Sequence, residues 1–109
     1  MDKQFVIGRL MALPQEIFAT ENELITISEK IQDAKNTLTA REAELLTSGM
    51  IDGKNAEQRA AQLKQLTELE RATMANTEKQ LPAIRAALTR LQNEFSALKA
   101  VAGMMREVA

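Results

Sequence analysis

Near the C-terminal end, Leu81, Ile84, Leu88, Leu91, Phe95, Leu98, Ala102 and Met105 follow one another at steps of three and four residues without a fault. That is the a/d spacing which keeps an apolar seam turned toward one neighbouring helix. A seam of this kind demands packing and carries no chemistry of its own. The residues around it agree: Ala, Leu, Glu, Gln, Lys and Arg dominate, with two Pro, four Gly and no Trp or Tyr, a mixture that favours helix and leaves an all-β fold little support. The fold class predicted is all-α: an antiparallel helical hairpin with coiled-coil seams, its second arm kinked or broken near Pro82.

The first arm carries its own columns. Ile17, Leu24, Ile31, Leu38 and Leu45 repeat at intervals of seven, with Leu10 on the same column upstream. A weaker column three residues on reads Leu13, Thr20, Ile27, Ala34 and Arg41. Another, one residue after the first, reads Met11, Phe18, Ile25, Gln32, Thr39 and Leu46. Three columns are wider than one neighbouring helix needs, so the two ends of this helix are expected to touch more than one other helix. Pro14 disfavours helix at Leu13 and suits the first turn of a new one, with Glu16 near its positive end, so a helix is expected to start there.

Thr47-Ser48-Gly49 and the run from Met50 to Asn55 form the clearest punctuation. Gly49 can take the left-handed conformation that closes a helix, Asp52-Gly53 supplies turn chemistry, and Asn55 with Gln58 resembles an N-cap with a capping box. Met50 and Ile51 are expected to plug the hairpin tip. Beyond Leu66 the register weakens, because Glu70, Thr73 and Thr77 fall where apolar residues are wanted, and Pro82 follows. The predicted organisation is a single helical domain over 1–109: a short N-terminal helix or arm (1–13), a helix (14–47), a turn (48–55), and a kinked helix or two helices (56–107).

These arms do not match in length. About 34 residues of first helix span roughly 51 Å, and about 52 residues of second arm roughly 78 Å. A simple hairpin sets Pro14 opposite residue ~89 and leaves Leu91, Phe95, Leu98 and Met105 without cover. Three remedies exist: the first 13 residues extend the first arm, Pro82 folds the last segment back into a three-helix bundle, or a second chain covers the overhang. The last is favoured, which predicts a homodimer or higher homo-oligomer whose seam is Leu81, Ile84, Leu88, Leu91, Phe95, Leu98 and Met105 with Ile17, Phe18, Leu24, Ile31, Leu38 and Leu45.

The formal charge is −1, from 14 basic and 15 acidic residues, so no overall field recruits nucleic acid or an anionic membrane. Its distribution is uneven. Between Pro14 and Ser48 seven acids face three bases, and between Lys54 and Ala109 nine bases face six acids, as if the halves lay against one another. Within the second half Lys64, Arg71, Arg85, Lys99 and Arg106 share a heptad position, a candidate basic rail for a nucleic-acid backbone or an acidic partner. The plainer reading pairs them with Glu16, Glu21, Glu42 or Glu44 across the seam. It is preferred, since the three Phe belong to apolar columns and leave none for base stacking.

Chemistry finds no foothold. With no Cys and no His there is no thiolate and no imidazole, so Ser28, Ser48 and Ser96 lack a base and the Glu-x-x-His metal pattern cannot be made. Glu42 with Glu44, and Glu68 with Glu70, diverge on a helix. Gly49 to Lys54 has three residues between its glycines where a phosphate-binding loop has four. No catalytic residue, metal or cofactor is therefore predicted, and the protein is expected not to be an enzyme. No window approaches a membrane span, and the brief apolar run near the N-terminus is broken by Gly8 and Arg9, so a cytoplasmic protein is expected.

The stretch Ser48-Gly-Met-Ile-Asp-Gly-Lys-Asn-Ala-Glu-Gln-Arg-Ala-Ala-Gln-Leu63 resembles the turn and second-helix start of small coiled-coil accessory proteins of tailed phages and prophages. It covers about a seventh of the chain. The resemblance implies a small accessory protein of phage or prophage origin, placed in the host cytoplasm, and brings no molecular activity with it. Among phage accessory roles, binding and inhibiting or modulating a host protein suits an all-helical chain with no chemistry of its own. The function expected is thus self-association and protein binding, with a nucleic-acid-binding accessory protein of phage replication or recombination as the alternative.

Overall fold

The computed structural model describes the backbone of residues 2–108 and the side chains of residues 2–106, so the two ends of the predicted domain, residues 1 and 109, lie outside it. The described residues are helical throughout apart from short turns, with no strand. The elements are α1 (Lys3–Thr47), α2 (Ala56–Leu66), α3 (Glu68–Glu78) and α4 (Leu81–Val108).

α1 starts eleven residues before the expected position. Asp2 caps it, its Oδ1 accepting from the Phe5 amide at 2.8 Å and its carbonyl from the Val6 amide at 3.2 Å. The predicted helix start at Pro14 is corrected: Pro14 lies inside α1. An interior proline costs about 3 kcal/mol. Val6 and Leu13 on the same stretch are almost wholly buried, and burying each stabilises by about 1.5–3 kcal/mol. Packing therefore outweighs the missing hydrogen bond, and the helix runs on.

Two units make up the chain, Met1–Thr26 with Leu81–Ala109, and Ile27–Gln80. In the first, Val6, Leu13 and Leu98 form a core on which Leu10, Leu91, Phe95, Val101, Ala102 and Met105 pack. One groove brings Lys3, Val6 and Ile7 together with Ala102, Met105 and Arg106, while further along α1 Arg9 reaches Glu94. Partners on α4 thus descend as α1 ascends. This corrects the expectation that the overhanging end of the seam lacks cover: residues 3–13 extend the first arm, and Leu98, 4% exposed, is covered by its own chain.

In the second unit Ile27, Ile31, Leu38 and Leu45 of α1 are buried. Ala34 and Thr37 share a small cleft with Leu69, Glu70 and Thr73 of α3. The connection after α1 is held by side chains. Gly49 closes α1 with φ +79. Asn55 Oδ1 accepts from the Gln58 amide at 2.8 Å, and Gln58 Oε1 in turn accepts from the Lys54 amide at 2.9 Å. Gln62 Oε1 accepts from the amides of Asp52 and Gly53, and its Nε2 donates to Asp52 Oδ1 at 2.7 Å. Met50 is exposed and Ile51 half-buried, so the expected plug at this turn is corrected to Ile51 alone.

Between Leu66 and Leu81 the chain breaks twice. Thr67 separates α2 from α3 with φ −114 and ψ 22, although the amides of Thr67 and Arg71 still reach back four residues, to the carbonyls of Leu63 and Thr67. Its hydroxyl donates to the Leu63 carbonyl at 2.7 Å, a back-bond that bends helices. At Lys79 and Gln80 the last turn tightens, with the Gln80 amide donating to the Thr77 carbonyl at 3.2 Å. α4 then opens with Pro82 in its first turn, where no amide donor is needed.

Candidate functional site

Each member of the predicted seam has a place on a helix. In α4, Leu98 is buried and Leu81, Ile84, Leu88, Leu91, Phe95 and Met105 are half-buried. In α1, Ile31, Leu38 and Leu45 are buried, and Ile17 and Leu24 half-buried. Phe18 departs from the rest, at 57% exposed. Leu91, Phe95, Leu98 and Met105 pack in the core of the first unit, while the half-buried members of the seam keep part of their surface open.

Apolar surface open to a partner lies one residue further round α1. Met11, Phe18 and Ile25, the third column, are 78%, 57% and 56% exposed. Their heptad spacing alone suits packing against another helix, within the chain or, for Phe18, in the expected seam with a second copy. What could have marked them as surface is their flank: Gln4, Gln15, Asn22 and Thr26 lie on one side of the column, polar but uncharged. Such a border costs little to desolvate compared with a charged one. A large apolar column with an uncharged flank on one side suits a protein-binding surface.

Among the described residues of the first unit Arg9 makes the most ionic contacts, and no spacing in the sequence points to them. Its Nε and Nη2 donate to Glu94 Oε2 and Oε1 at 2.9 and 2.8 Å, while Nη1 donates to Glu16 Oε2 at 2.7 Å. Both partners raise the Arg9 pKa, Glu94 the more strongly. Hydrogen bonds from Arg9 hold the Glu94 carboxyl below its ordinary value, against an opposing effect of burial. Arg9 Nη2 also reaches Glu16 Oε1 at 3.4 Å, and a guanidinium spread in this way over two carboxylates is a structural clasp.

The residues of the basic column are differently employed. Arg71 Nε donates to the Thr67 hydroxyl at 2.9 Å, and Arg71 Nη2 lies 3.8 Å from Glu42, which is the cross-pairing considered for this column. Lys99 Nζ sits 4.9 Å above the Phe95 ring. Lys64, Arg85 and Arg106 are exposed. Beside Lys64 and Arg71 a shallow hollow of about 340 Å³ also holds Glu68, which places an acid among the bases.

A groove of about 450 Å³ opens between the first turns of α1 and the last turns of α4. Val6, Ile7, Ala102 and Met105 make it apolar, and Lys3 and Arg106 stand at its rim. Among the described residues no three carboxylates converge as metal ligands would, and no helix is long and apolar enough to cross a membrane. Compared with protein-family models, with curated proteins and with solved structures, the chain matches none.

Proposed function

We propose that this chain is a non-enzymatic helical module, a hairpin with coiled-coil seams, that self-associates and binds another protein. The observation that carries the reading is the exposed column Met11, Phe18 and Ile25 on α1. Three large apolar side chains at heptad spacing lose more by staying in water than an isolated surface residue does, at about 25 cal/mol for each Å² left uncovered. A groove-forming partner or a second helix relieves that cost. A phage-type origin, as the Ser48–Leu63 resemblance implies, makes the bound protein a host factor.

Sedimentation equilibrium across a wide concentration range tests self-association, which predicts a mass that rises with concentration. For the second activity, capture of a defined protein must be lost when Met11 and Phe18 are both replaced by Glu and helicity is retained. A variant that still captures the same protein with undiminished affinity would place the binding surface elsewhere.

A further inference from the structure

On the outer side of α1, Ile7, Met11, Pro14 and Phe18 follow at steps of four, three and four. At about 100° per residue this stripe is turned well away from the flank that Val6 and Leu13 bury. Ile7 is 46% exposed, and Pro14 is exposed with it. The next positions at the same spacing are charged and of opposite sign, Lys3 before Ile7 and Glu21 after Phe18, and both are exposed on the same edge of the stripe.

We infer that a second copy of this chain lies antiparallel across the stripe, with Ile7 against the partner's Phe18 and Met11 against the partner's Pro14. This rests on the self-association proposed above and assigns its surface. The charges choose both occupant and direction. Each apolar pair is placed symmetrically about the point between Ala12 and Leu13, so a two-fold axis there makes the stripe self-complementary. Under the same operation Lys3 comes within one residue of the level of the partner's Glu21, and the ion pair forms at both ends. Parallel copies in register would carry the charged edge of one copy to the opposite flank of the other and leave Lys3 and Glu21 without a counter-charge across the contact. Met11, long and adaptable, meets the shallow surface of Pro14. The contact runs about 27 Å along α1. That length places it below the roughly 1,200 Å² of a standard interface, so the dimer is weak and concentration-dependent.

Because the chain has no Cys, single cysteines report without background. The full chain carrying Ile7→Cys and, separately, the chain carrying Phe18→Cys are purified, mixed, and treated with a bismaleimide linker of about 8 Å. Both positions are exposed, so folding is retained, and circular dichroism verifies it. Antiparallel copies bring residue 7 beside residue 18 of the other chain, while like positions stand 11 residues out of step, about 16 Å apart. The mixture is expected to cross-link 7 to 18 at least several-fold more than either variant alone. Preferential 18-to-18 or 7-to-7 linkage would overturn the antiparallel arrangement. If the wild type sediments as a dimer and no pair links, the surface is wrong and self-association stands. If the wild type stays monomeric at the highest concentration reached, both readings fall. As an independent measure, Met11→Glu is expected to raise the dimer Kd at least about tenfold at unchanged helicity.

Discussion

Arg9 grips both carboxylate oxygens of Glu94, at 2.9 and 2.8 Å, across 85 residues of sequence. With Glu16 held by the same guanidinium, one side chain ties the early turns of α1 to the middle of α4. The clasp sits beside the core of Val6, Leu13 and Leu98 and fixes which turn of one helix meets which turn of the other.

Acid sensitivity follows from the sign of the Glu94 shift. Its carboxyl is held below the ordinary value near 4.5, so the folded state binds its proton less readily than the unfolded chain. The stabilisation is present above that value and is lost as pH falls through the lower, folded-state pKa. Melting temperatures measured from pH 7 to pH 3 should fall more steeply at the acid end for the wild type than for Glu94→Gln. Equal acid slopes would show that the clasp contributes nothing to stability. Raising salt should narrow the difference, since both side chains are partly exposed.

Leu13 and Met11 stand two residues apart and should respond very differently. Leu13 is completely buried, and Leu13→Ala is expected to cost about 2–5 kcal/mol in denaturant unfolding. Met11→Ala, at a largely exposed position, should change the stability of the monomer by less than about 0.5 kcal/mol. A small effect at Leu13 would mean that the first turns of α1 do not pack on α4.

Glycine substitutions should have opposite signs. A Cβ at Gly53 would stand 2.8 Å from the Arg59 amide nitrogen and 2.9 Å from the Gln58 carbonyl carbon, backbone atoms that cannot easily move, so Gly53→Ala is expected to destabilise. At Gly8, inside α1, a Cβ meets nothing within 4 Å, and Gly8→Ala should stabilise by about 0.5–1 kcal/mol. Thermal unfolding of the two variants beside the wild type distinguishes the signs directly.

At Thr67 the buried hydroxyl both donates to the Leu63 carbonyl and accepts from Arg71 Nε. Thr67→Val keeps the shape and removes these bonds, at an expected cost of about 1–3 kcal/mol. Arg71 then loses one of its two anchors, so the ion pair with Glu42 should contribute less, and a double-mutant cycle between positions 67 and 42 should show coupling. Strict additivity would separate them.

The all-helical class was legible because heptad spacing and residue preferences pointed the same way over most of the chain. Other features were hidden for physical reasons. Pro14 is a local signal for a helix start, and only the tertiary burial of Val6 and Leu13 overrides it, which no local reading of residues 8–16 can register. The column Met11, Phe18 and Ile25 has the periodicity of core, and periodicity alone cannot tell a buried stripe from an exposed one. Arg9 and Glu94 are joined by folding, and nothing in their spacing announces the pair. Thr67 carries no signal in the sequence, because a threonine in a helix is ordinary until its hydroxyl turns back on the chain.

α2 and α3 bury no residue of their own, and the only fully enclosed side chain between Ala56 and Glu78 is Thr67. Their amides should therefore exchange with deuterium long before those around Ile31 and Leu45, through openings that leave the rest of the molecule standing. Residues 56–78 would then come loose as one piece at a fraction of the free energy needed to unfold everything.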